Sequence, residues 1–448
     1  MKEQKVPIIQ KLGLMMGSGG ITGIFSLTTM LAMLFFTDLM GLSPAAVGTM
    51  ILLSKIWNAM CDPLCGALID RTNTRFGKVK PWLFFGGIGI FLFGVLIFVV
   101  PGFSSTGKLV WSYITYNGVC MSFAACTIAL ITLMPLITRS QMERVSLSAF
   151  SFIGQTVFAI IATATVMPLI TFFSRSAPVN AYWKTALVIG GVGFLCTMFF
   201  VIVVKEKSAV QAEGEKARTH IRDSLKAILR NKYFVLIVAI CLANGIAIGM
   251  HNSSMAQYLI YGLKAPELAS LLMPIIYIGA FAAGMLAKPL ARFDKLRMAK
   301  IAFVILAAGL ALRFFTGDAF LPAVIAGELA VGIGSGLFNV YVIAMLMDTS
   351  EYGYKKTKVR NDGLIMSTMS FQTKIGQGLG IALMGFWLEL GGYVSGAAEQ
   401  PQSAADALFN IHLVPFLIVA VLSFILLHFY KLDDKAMAEI MKEEAEAL

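Results

Sequence analysis

The stretch GALIDRTNTRFGK, residues 66–78, closes a long apolar segment, and a related stretch, GMLAKPLARFDK, closes a later one at residues 284–295. In both, a Gly-x-Leu triplet ends the apolar segment and an Arg-Phe-x-Lys group follows in a polar loop. A pattern that recurs in this way indicates that the chain contains two structurally related halves. Each half contains six apolar segments, so the sequence predicts two bundles of six helices.

The composition indicates a chain that is solvated by lipid. Of the 448 residues, 58% are hydrophobic and 14% are charged, whereas about a quarter of the residues of a soluble domain are charged. Segments of about 20 apolar residues, which is the length that crosses a bilayer, recur from Leu14 to Tyr430. We therefore predict an all-α membrane protein with twelve transmembrane helices. They cover residues 14–37, 44–70, 81–101, 109–137, 147–173, 183–204, 233–261, 266–290, 299–316, 320–348, 363–390 and 407–430.

The longest polar loop divides these helices six and six. In this loop Ile221, Leu225 and Leu229 recur every four residues, which predicts a short amphipathic helix on the membrane surface. The end of the chain is rich in Glu and Ala, and we expect a solvated or frayed helix, with a binding tail as the alternative; we assign it no function. The predicted parts are an N-terminal bundle at 1–204, a basic linker at 205–232, a C-terminal bundle at 233–431 and a tail at 432–448.

The distribution of charge sets the expected orientation and excludes several partners. Lys and Arg concentrate in alternate loops, and basic loops stay on the cytoplasmic side, so we predict that both termini are cytoplasmic. The net charge of +11 does not predict a nucleic-acid partner, because no soluble basic face accompanies it. Cys61 and Cys65 have no neighbouring His or further Cys, so we predict neither a metal site nor a cofactor.

Several motifs resemble a known family. The stretch at 66–81 resembles the loop motif of the major facilitator superfamily. Other stretches resemble the glycoside-pentoside-hexuronide:cation symporters, the branch that contains the melibiose permeases. These are FFTDLMGLS at 35–43, the segment with Asp62-Pro63 at 57–63, MPLITRSQMERVSL at 134–147, DTSEYGYKKTKVRNDG at 348–363 and FQTKIGQGLG at 371–380.

The resemblance implies the fold and the type of activity. It implies the major facilitator fold, alternating access, a central sugar site and coupling to a cation gradient. It also implies a multi-pass protein of a bacterial inner membrane that works as a monomer and contacts membrane lipid. The chain has no nucleophile elbow, phosphate-binding loop or metal motif in a usable context, so we do not expect an enzyme.

Asn58 and Asp62 of the second segment and Lys374 of the eleventh are the candidates for cation coupling. Lys55, Asn58 and Asp62 lie at i, i+3 and i+7, on one face of a helix. Lys374 lies deep in the eleventh segment, where a charge needs a partner. We expect Asp62 to pair with Lys374, and protonation of Asp62 would release the pair. A permanent structural ion pair is the alternative. The resemblance favours coupling, because these two positions match coupling positions of the family.

The chain departs from the sodium-coupled members of the family. Those members carry two carboxylates one turn apart on the second helix, an amide between them and a hydroxyl on the fourth helix. Asn58, Cys61, Asp62 and Ala124 stand at the matching positions. Sodium prefers several oxygen ligands, and this set offers few. We therefore expect the coupling cation to be a proton, while a facilitator without coupling stays open.

The predicted solute site also departs from the family pattern. Thr22 and Thr127 stand where the galactoside site has carboxylates, and Ile131, Phe152 and Asn339 replace an aromatic residue, an arginine and a tryptophan. The remaining polar residues carry more positive than negative charge, which predicts a sugar acid or a sulfonated sugar. The predicted solute-binding residues are Thr22, Lys55, Thr127, Asn339, Tyr341, Gln372 and Lys374.

The other polar residues lead to further expectations. We expect Arg313 and Glu328 to pair near the outer face, and we interpret His251 as a pore-lining or hydrogen-bonded residue rather than a proton relay. A lipid or lysolipid transporter fits the loss of the carboxylates, and a sensor with a transporter fold is a third class. The predicted gating residues, which lie in loops and at helix ends, are Asp38, Asp70, Arg71, Arg75, Asp348 and Arg360.

Overall fold

The computed structural model describes residues 6–138, 140–175, 180–206, 228–290, 292–357 and 362–447. Within these ranges the regular elements are helices, and one isolated β-bridge joins Thr74 and Gly77. The first six helices are α1 Ile8–Leu34, α2 Pro44–Arg71, α3 Lys80–Leu96, α4 Ser105–Ile137, α5 Gln141–Ser174 and α6 Ala181–Val203. They are followed by α7 Lys232–Gln257, α8 Ala269–Leu290, α9 Lys295–Thr316, α10 Leu321–Thr357, α11 Asp362–Leu390, α12 Gln402–Leu426 and α13 Asp434–Ala447. A π-helical turn follows α1 at Phe35–Leu39 and another follows α7 at Tyr258–Gly262, and a 3-10 turn precedes α8 at Pro266–Leu268.

Nine of the described helices are long and apolar enough to cross a membrane. They are α1, α4 to α10 and α12. The shorter helix α3 has 17 residues, while α2 and α11 carry polar residues such as Lys55, Asp62 and Lys374 in their interiors. The all-α class is confirmed, and the number of twelve spans and the side of the termini stay predictions.

Side-chain caps explain where several helices begin. Ser43 precedes Pro44, which is favoured in the first turn of a helix, and its hydroxyl accepts from the backbone N–H of Ala46 at 3.3 Å. Asp294 caps α9 in the same way, since its Oδ1 accepts from the backbone N–H of Arg297 at 2.8 Å. Each cap satisfies a backbone donor that the helix leaves without a partner.

The helices pack into two compact units. The first unit contains Met1–Glu213, Asn252–Pro274 and Ile381–Phe409, and the second contains Gly214–His251, Ile275–Gly380 and Asn410–Leu448. The divisions fall inside α7, α8, α11 and α12, so these helices contribute to both units. The four predicted parts follow chain order instead, and they stay a prediction.

In the first unit, α1 packs against α5 and α6, and α3 packs against α4 and α6. The core between them is apolar and includes Leu14, Ile21, Leu130 and Phe200. In the second unit α9 packs along α10. Gly332 on α10 approaches α8 so closely that a Cβ there would overlap the backbone of α8. Such small-residue contacts are typical of membrane helices.

The tail differs from the expected solvated helix. The helix α13 buries Met437 and Ile440, and the backbone N–H of Asp434 donates to Oδ2 of Asp294 at 3.0 Å. The helix is therefore solvated on one side and packs on the other, because apolar residues on one side of α13 give it a surface that packs. Of the linker residues that predict an amphipathic helix, Ile221 and Leu225 lie outside the described residues.

Candidate functional site

The polar residues predicted on the second helix lie on α2 in the first unit. Lys55 and Asn58 are buried, and Asp62 is half-buried. Nδ2 of Asn58 donates to the carbonyl oxygen of Cys120 on α4 at 2.9 Å. The Nζ atom of Lys55 lies 4.9 Å from the ring centroid of Phe25 on α1, within the range of a cation–π interaction. Two turns of α2 thus carry an ammonium, an amide and a carboxylate.

An aromatic pair lies beside Lys55. The rings of Phe25 on α1 and Phe123 on α4 stack with a centroid distance of 3.8 Å and an interplanar angle of 11°. Thr22 and Thr127 stand about one helical turn from this pair, and both are half-buried. Their hydroxyls donate to carbonyls of their own helices, which leaves the hydroxyl oxygens to act as acceptors. This face of the first unit combines a cation, aromatic surface and two hydroxyls.

The predicted residues of the C-terminal half lie in the second unit. Asn339 and Tyr341 are on α10, and Gln372 and Lys374 are on α11. Tyr341 and Gln372 are buried, and the hydroxyl of Tyr341 and Oε1 of Gln372 have no hydrogen-bond partner among the described residues. A buried polar atom without a protein partner indicates a place where a ligand or a water molecule forms the hydrogen bond. Lys374 belongs to a different unit from Asp62, so the expected pair stays a prediction.

Asp38 lies in the π-helical turn after α1 and joins three segments of the first unit. Its Oδ1 accepts from the hydroxyl of Tyr393 at 2.7 Å and from Thr37 at 2.9 Å. Its Oδ2 accepts from the hydroxyl of Tyr261 at 2.8 Å. Nε2 of Gln257 donates to Thr37 at 3.1 Å and to Tyr393 at 3.0 Å. We call these five residues the Asp38 cluster.

Close backbone packing of α2 against α11 accompanies the Asp38 cluster in the same unit. A Cβ added at Gly48 would lie 2.9 Å from the α-carbon of Ala382, and one added at Gly385 would overlap the carbonyl oxygen of Pro44. The carboxylate of Glu389 accepts from a backbone N–H at the start of α2 at 3.1 Å. The two helices therefore approach each other through their backbones at Gly48 and Gly385.

The predicted gating residues at the other end of α2 make local contacts. Asp70 pairs with Lys78 at 2.7 Å, Arg71 ends α2, and Arg75 lies over the ring of its neighbour Phe76. Glu206, which follows α6, was not predicted from the sequence. Its carboxylate accepts three backbone N–H bonds of 2.7 to 3.0 Å at the start of α3, where a helix N-terminus favours an anion.

Asp348 lies near the end of α10 and pairs with Lys295 at the start of α9. Lys295 also contacts Asp434 at the start of α13, at 3.1 Å. Asp348 therefore takes part in a network of charges within the second unit. Arg360 lies outside the described residues. A gating role for these residues stays a prediction.

A buried ionic cluster lies in the second unit. Arg313 on α9 pairs with Oε1 of Glu328 on α10, as the sequence predicts. His251 on α7 and His412 on α12 contact the two oxygens of the same carboxylate at 3.0 and 2.9 Å. His412 was not predicted, although a histidine in the middle of an apolar segment is a sufficient signal, since ionisable residues at membrane depth are usually functional.

The sequence of this chain matches a known family over most of its length. Residues 15–434 match the MFS/sugar transport protein family. The chain belongs to this family. The predicted relation to the glycoside and pentoside symporters is thereby confirmed, and the protein is a multi-pass transporter of the major facilitator type.

Curated members resemble this MFS/sugar transport protein along nearly all of both chains. The isoprimeverose transporter of Lactiplantibacillus pentosus is 30% identical over 94% of this chain and 89% of its own. The glucuronide carrier protein homolog of Escherichia coli (strain K12) is 29% identical over 94% and 91%. A putative 2,3-dihydroxypropane-1-sulfonate exporter of Salmonella typhimurium is 26% identical over 98% and 96%.

Solved structures support the major facilitator fold of this MFS/sugar transport protein. A bacterial homolog of the human lysosomal transporter Spinster superposes with a TM-score of 0.68, at 14% identity, over 94% of this chain and 97% of that one. A proton-dependent oligopeptide transporter superposes with a TM-score of 0.70, at 11% identity, over 97% and 99%. At such low identity these likenesses concern the fold alone.

Proposed function

We propose that this protein imports a sugar-derived anion by alternating access, in symport with a proton that binds at Asp62. The coarser part of this statement, sugar transport, follows from the family. The direction, the charge of the solute and the coupling ion are our proposal. The observation that carries it is the buried ammonium of Lys55 beside the stacked rings of Phe25 and Phe123.

The chemistry of this face fits a sugar that carries an acid group. Aromatic rings pack against the apolar faces of sugar rings. Phe25 is already covered by Phe123 and by Lys55, so this contact would fall to Phe123. The threonine hydroxyls can accept hydrogen bonds from sugar hydroxyls. Lys55 is 3% exposed, and a buried ammonium favours an anion, because the charge has lost most of its hydration. A carboxylate or a sulfonate on a solute at this face would be attracted by the positive charge of Lys55.

The names of two relatives are consistent with an anionic solute. One relative is named for a glucuronide and another for a sulfonate, and both of these are anions, while a third is named for isoprimeverose. The observation that favours the anions for this chain is that Thr22 and Thr127 bring no negative charge to the face that holds Lys55.

A panel of labelled solutes tests the proposed substrate class. The panel contains a glucuronide, a sulfonated sugar, isoprimeverose and a lysophospholipid, and counterflow is measured in proteoliposomes with the wild type and with Lys55→Gln. We expect exchange of an acidic solute, and a loss of about tenfold or more in its apparent affinity in the variant, which corresponds to about 1.4 kcal/mol. A preference for isoprimeverose or for the lysophospholipid would contradict the proposal.

The coupling role of Asp62 has a separate test. In the Asp62→Asn variant we expect counterflow to persist and accumulation against a gradient to be lost, because an amide cannot take up and release a proton at physiological pH. Asp406→Asn is the matched control, since Asp406 is exposed near the start of α12. Accumulation that persists unchanged in Asp62→Asn would exclude Asp62 as the coupling group.

A further inference from the structure

Four helices of the second unit bring ionisable side chains together at a fully buried point. His251 comes from α7, Arg313 from α9, Glu328 from α10 and His412 from α12, and each of these side chains is at most 2% exposed. Ionised groups inside a membrane are costly, so a cluster of this size is expected to serve a function. The proposed coupling through Asp62 does not use it.

The hydrogen bonds of His251 require an additional proton. Its Nδ1 lies 3.0 Å from the backbone carbonyl oxygen of His412, and a carbonyl only accepts, so Nδ1 carries a hydrogen. Its Nε2 lies 3.0 Å from Oε2 of Glu328. A neutral imidazole has one proton, which Nδ1 already uses. The second contact therefore needs another proton, either on Nε2 or on Oε2.

The other oxygen of Glu328 accepts two hydrogen bonds without a further proton. Arg313 Nη1 donates to Oε1, and the Nε2 of a neutral His412 donates to the same oxygen at 2.9 Å. The two imidazole rings stack with a centroid distance of 3.9 Å. Two imidazolium ions at this distance would repel each other, so the arrangement accommodates one additional proton and not two.

We propose that His251, Glu328 and His412 form a proton-binding site, which we call the buried triad, and that its occupancy changes during transport. The step is a simple protonation: a hydronium ion from water gives one proton to the His251–Glu328 contact, and the same proton later leaves to water. The proposal depends on the proposed function only in linking this proton to transport.

The groups that face the buried triad define a route for the proton. Arg313 lies between the triad and Asp318, whose Oδ1 is 3.6 Å from Arg313 Nε. Asp318 stands in the loop between α9 and α10, and its side chain is 22% exposed. The charge distribution of the loops predicts that this loop is outside the cell. The triad is therefore loaded from the outer side.

Loss of the proton changes the contact between α7 and α10. In the loaded state a hydrogen bond joins His251 to Glu328, whereas in the empty state the Nε2 lone pair faces a carboxylate oxygen. The empty state is repulsive, so α7 and α10 are expected to separate or to rotate. Helix α7 continues from His251 to Gln257 and then to Tyr261, two members of the Asp38 cluster. Protonation of the triad thus acts on the helix that carries part of this cluster.

A metal ion is the competing occupant of the same place. The ligand atoms of the triad lie within 4.8 Å of one another, a spacing that a zinc ion can bridge. However, the guanidinium of Arg313 contacts the same carboxylate and repels a second cation. The ring nitrogen atoms that face Glu328 are also already hydrogen-bonded to it. These contacts favour a proton, and zinc becomes an outcome of the test.

Nuclear magnetic resonance of the full-length protein in bilayers tests for the bound proton without any solute. The chain has four histidines, and ¹⁵N shifts of labelled histidine separate imidazolium from the two neutral tautomers. At about pH 8, where an ordinary histidine with a pKa of about 6.5 is neutral, we expect one ring with two protons. If Glu328 holds the proton instead, infrared spectra should contain a carboxylic acid band.

Variants assign the signal. Glu328→Gln and His251→Asn should each remove it, and His428→Asn, at an exposed position, should leave it. Because the wild-type spectrum is decisive by itself, a variant that fails to fold does not prevent the test. Four neutral rings without a carboxylic acid band would overturn the proposal. So would stoichiometric zinc in the purified protein that His412→Asn removes.

The link to transport has its own measurement. Proton uptake is recorded with a trapped pH indicator during flux of a labelled glucuronide, or of isoprimeverose if that is the transported solute. We expect one proton fewer per solute in Glu328→Gln than in the wild type. An equal number of protons per solute in Glu328→Gln and in the wild type would overturn the link to transport. Failure of the solute panel, by contrast, would leave the resonance experiment unaffected.

Discussion

At the scale of single residues, the hydroxyl of Tyr393 connects two members of the Asp38 cluster. It donates to Asp38 and accepts from Gln257. Burial and the charge of Asp38 raise the pKa of Tyr393 far above its ordinary value, so the phenol stays protonated and remains a donor at physiological pH. The phenol of Tyr393 therefore donates over the whole physiological pH range.

Tyr393→Phe should weaken the Asp38 cluster while keeping the aromatic ring. Removing the hydroxyl leaves Asp38 without one donor and Gln257 without one acceptor. Leaving a buried polar group without its partner costs about 1–3 kcal/mol of stabilising free energy. We expect the C-terminal ends of α1 and α7, which carry the cluster, to separate more often, measured as the distance distribution between spin labels at these ends. Tyr113→Phe on α4 is the matched control, and equal distributions in both variants would argue against the predicted gating role of Asp38.

Single residues also mark the limit of prediction from sequence. The Arg313–Glu328 pair was predictable because two opposite charges inside a membrane need each other. His412 was not assigned, because only the packing of α7, α10 and α12 brings it to the same carboxylate. Asp38 was predicted as a gating residue without its partners, since Tyr261 and Tyr393 lie far from it in the chain.

At the scale of elements, the contact between α2 and α11 depends on glycine. Gly385→Leu should push α2 and α11 apart, because the leucine side chain would overlap Pro44. We expect this variant to favour separation of α2 from α11 and to reduce solute exchange at least tenfold, measured by counterflow. Gly66, on α2, has no atom within 4 Å of an added Cβ, so Gly66→Leu should exchange normally. Equal rates in both would show that the close packing is not needed.

The two ion pairs of Lys295, with Asp348 on α10 and with Asp434 on α13, should differ in strength. Asp348 and Lys295 are each 14% exposed, whereas Asp434 is 54% exposed. Exposed ion pairs contribute about 0–1 kcal/mol, and breaking a more buried pair leaves a charge without compensation. We expect Asp348→Asn to lower the melting temperature in detergent clearly more than Asp434→Asn. The opposite order would indicate that α13 is held mainly by Asp434.

At the scale of the whole molecule, the number of protons decides which gradient drives accumulation. If one proton enters together with a solute of charge −1, no net charge crosses the membrane. Only the pH gradient would then drive uptake of the solute. A second proton, carried by the buried triad, would add one charge, and the membrane potential would supply about 2.3 kcal/mol per 100 mV. We expect a potential set with potassium and valinomycin to raise accumulation in the wild type and not in Glu328→Gln. Accumulation that ignores the potential in both would contradict net charge movement.

The whole fold was predictable because lipid imposes simple rules on sequence. Helical segments, their apolar lengths and the repeated loop motif were sufficient for the all-α class and for the family. The division into units inside α7, α8, α11 and α12 was not predictable, because it depends on which helix ends pack together. The packing of α13 was missed for the same reason, since Met437 and Ile440 are few among many polar residues.

The length of α10 has a mechanical consequence. The helix has 37 residues, which corresponds to about 55 Å, compared with about 30 Å for the hydrocarbon core. Glu328 lies near one end of this rod and Asp348 near the other, about 30 Å apart along the axis at 1.5 Å per residue. A stiff rod that tilts about its middle moves its ends in opposite directions. A tilt of α10 would therefore move the proton-binding Glu328 and the ion pair of Asp348 in opposite directions.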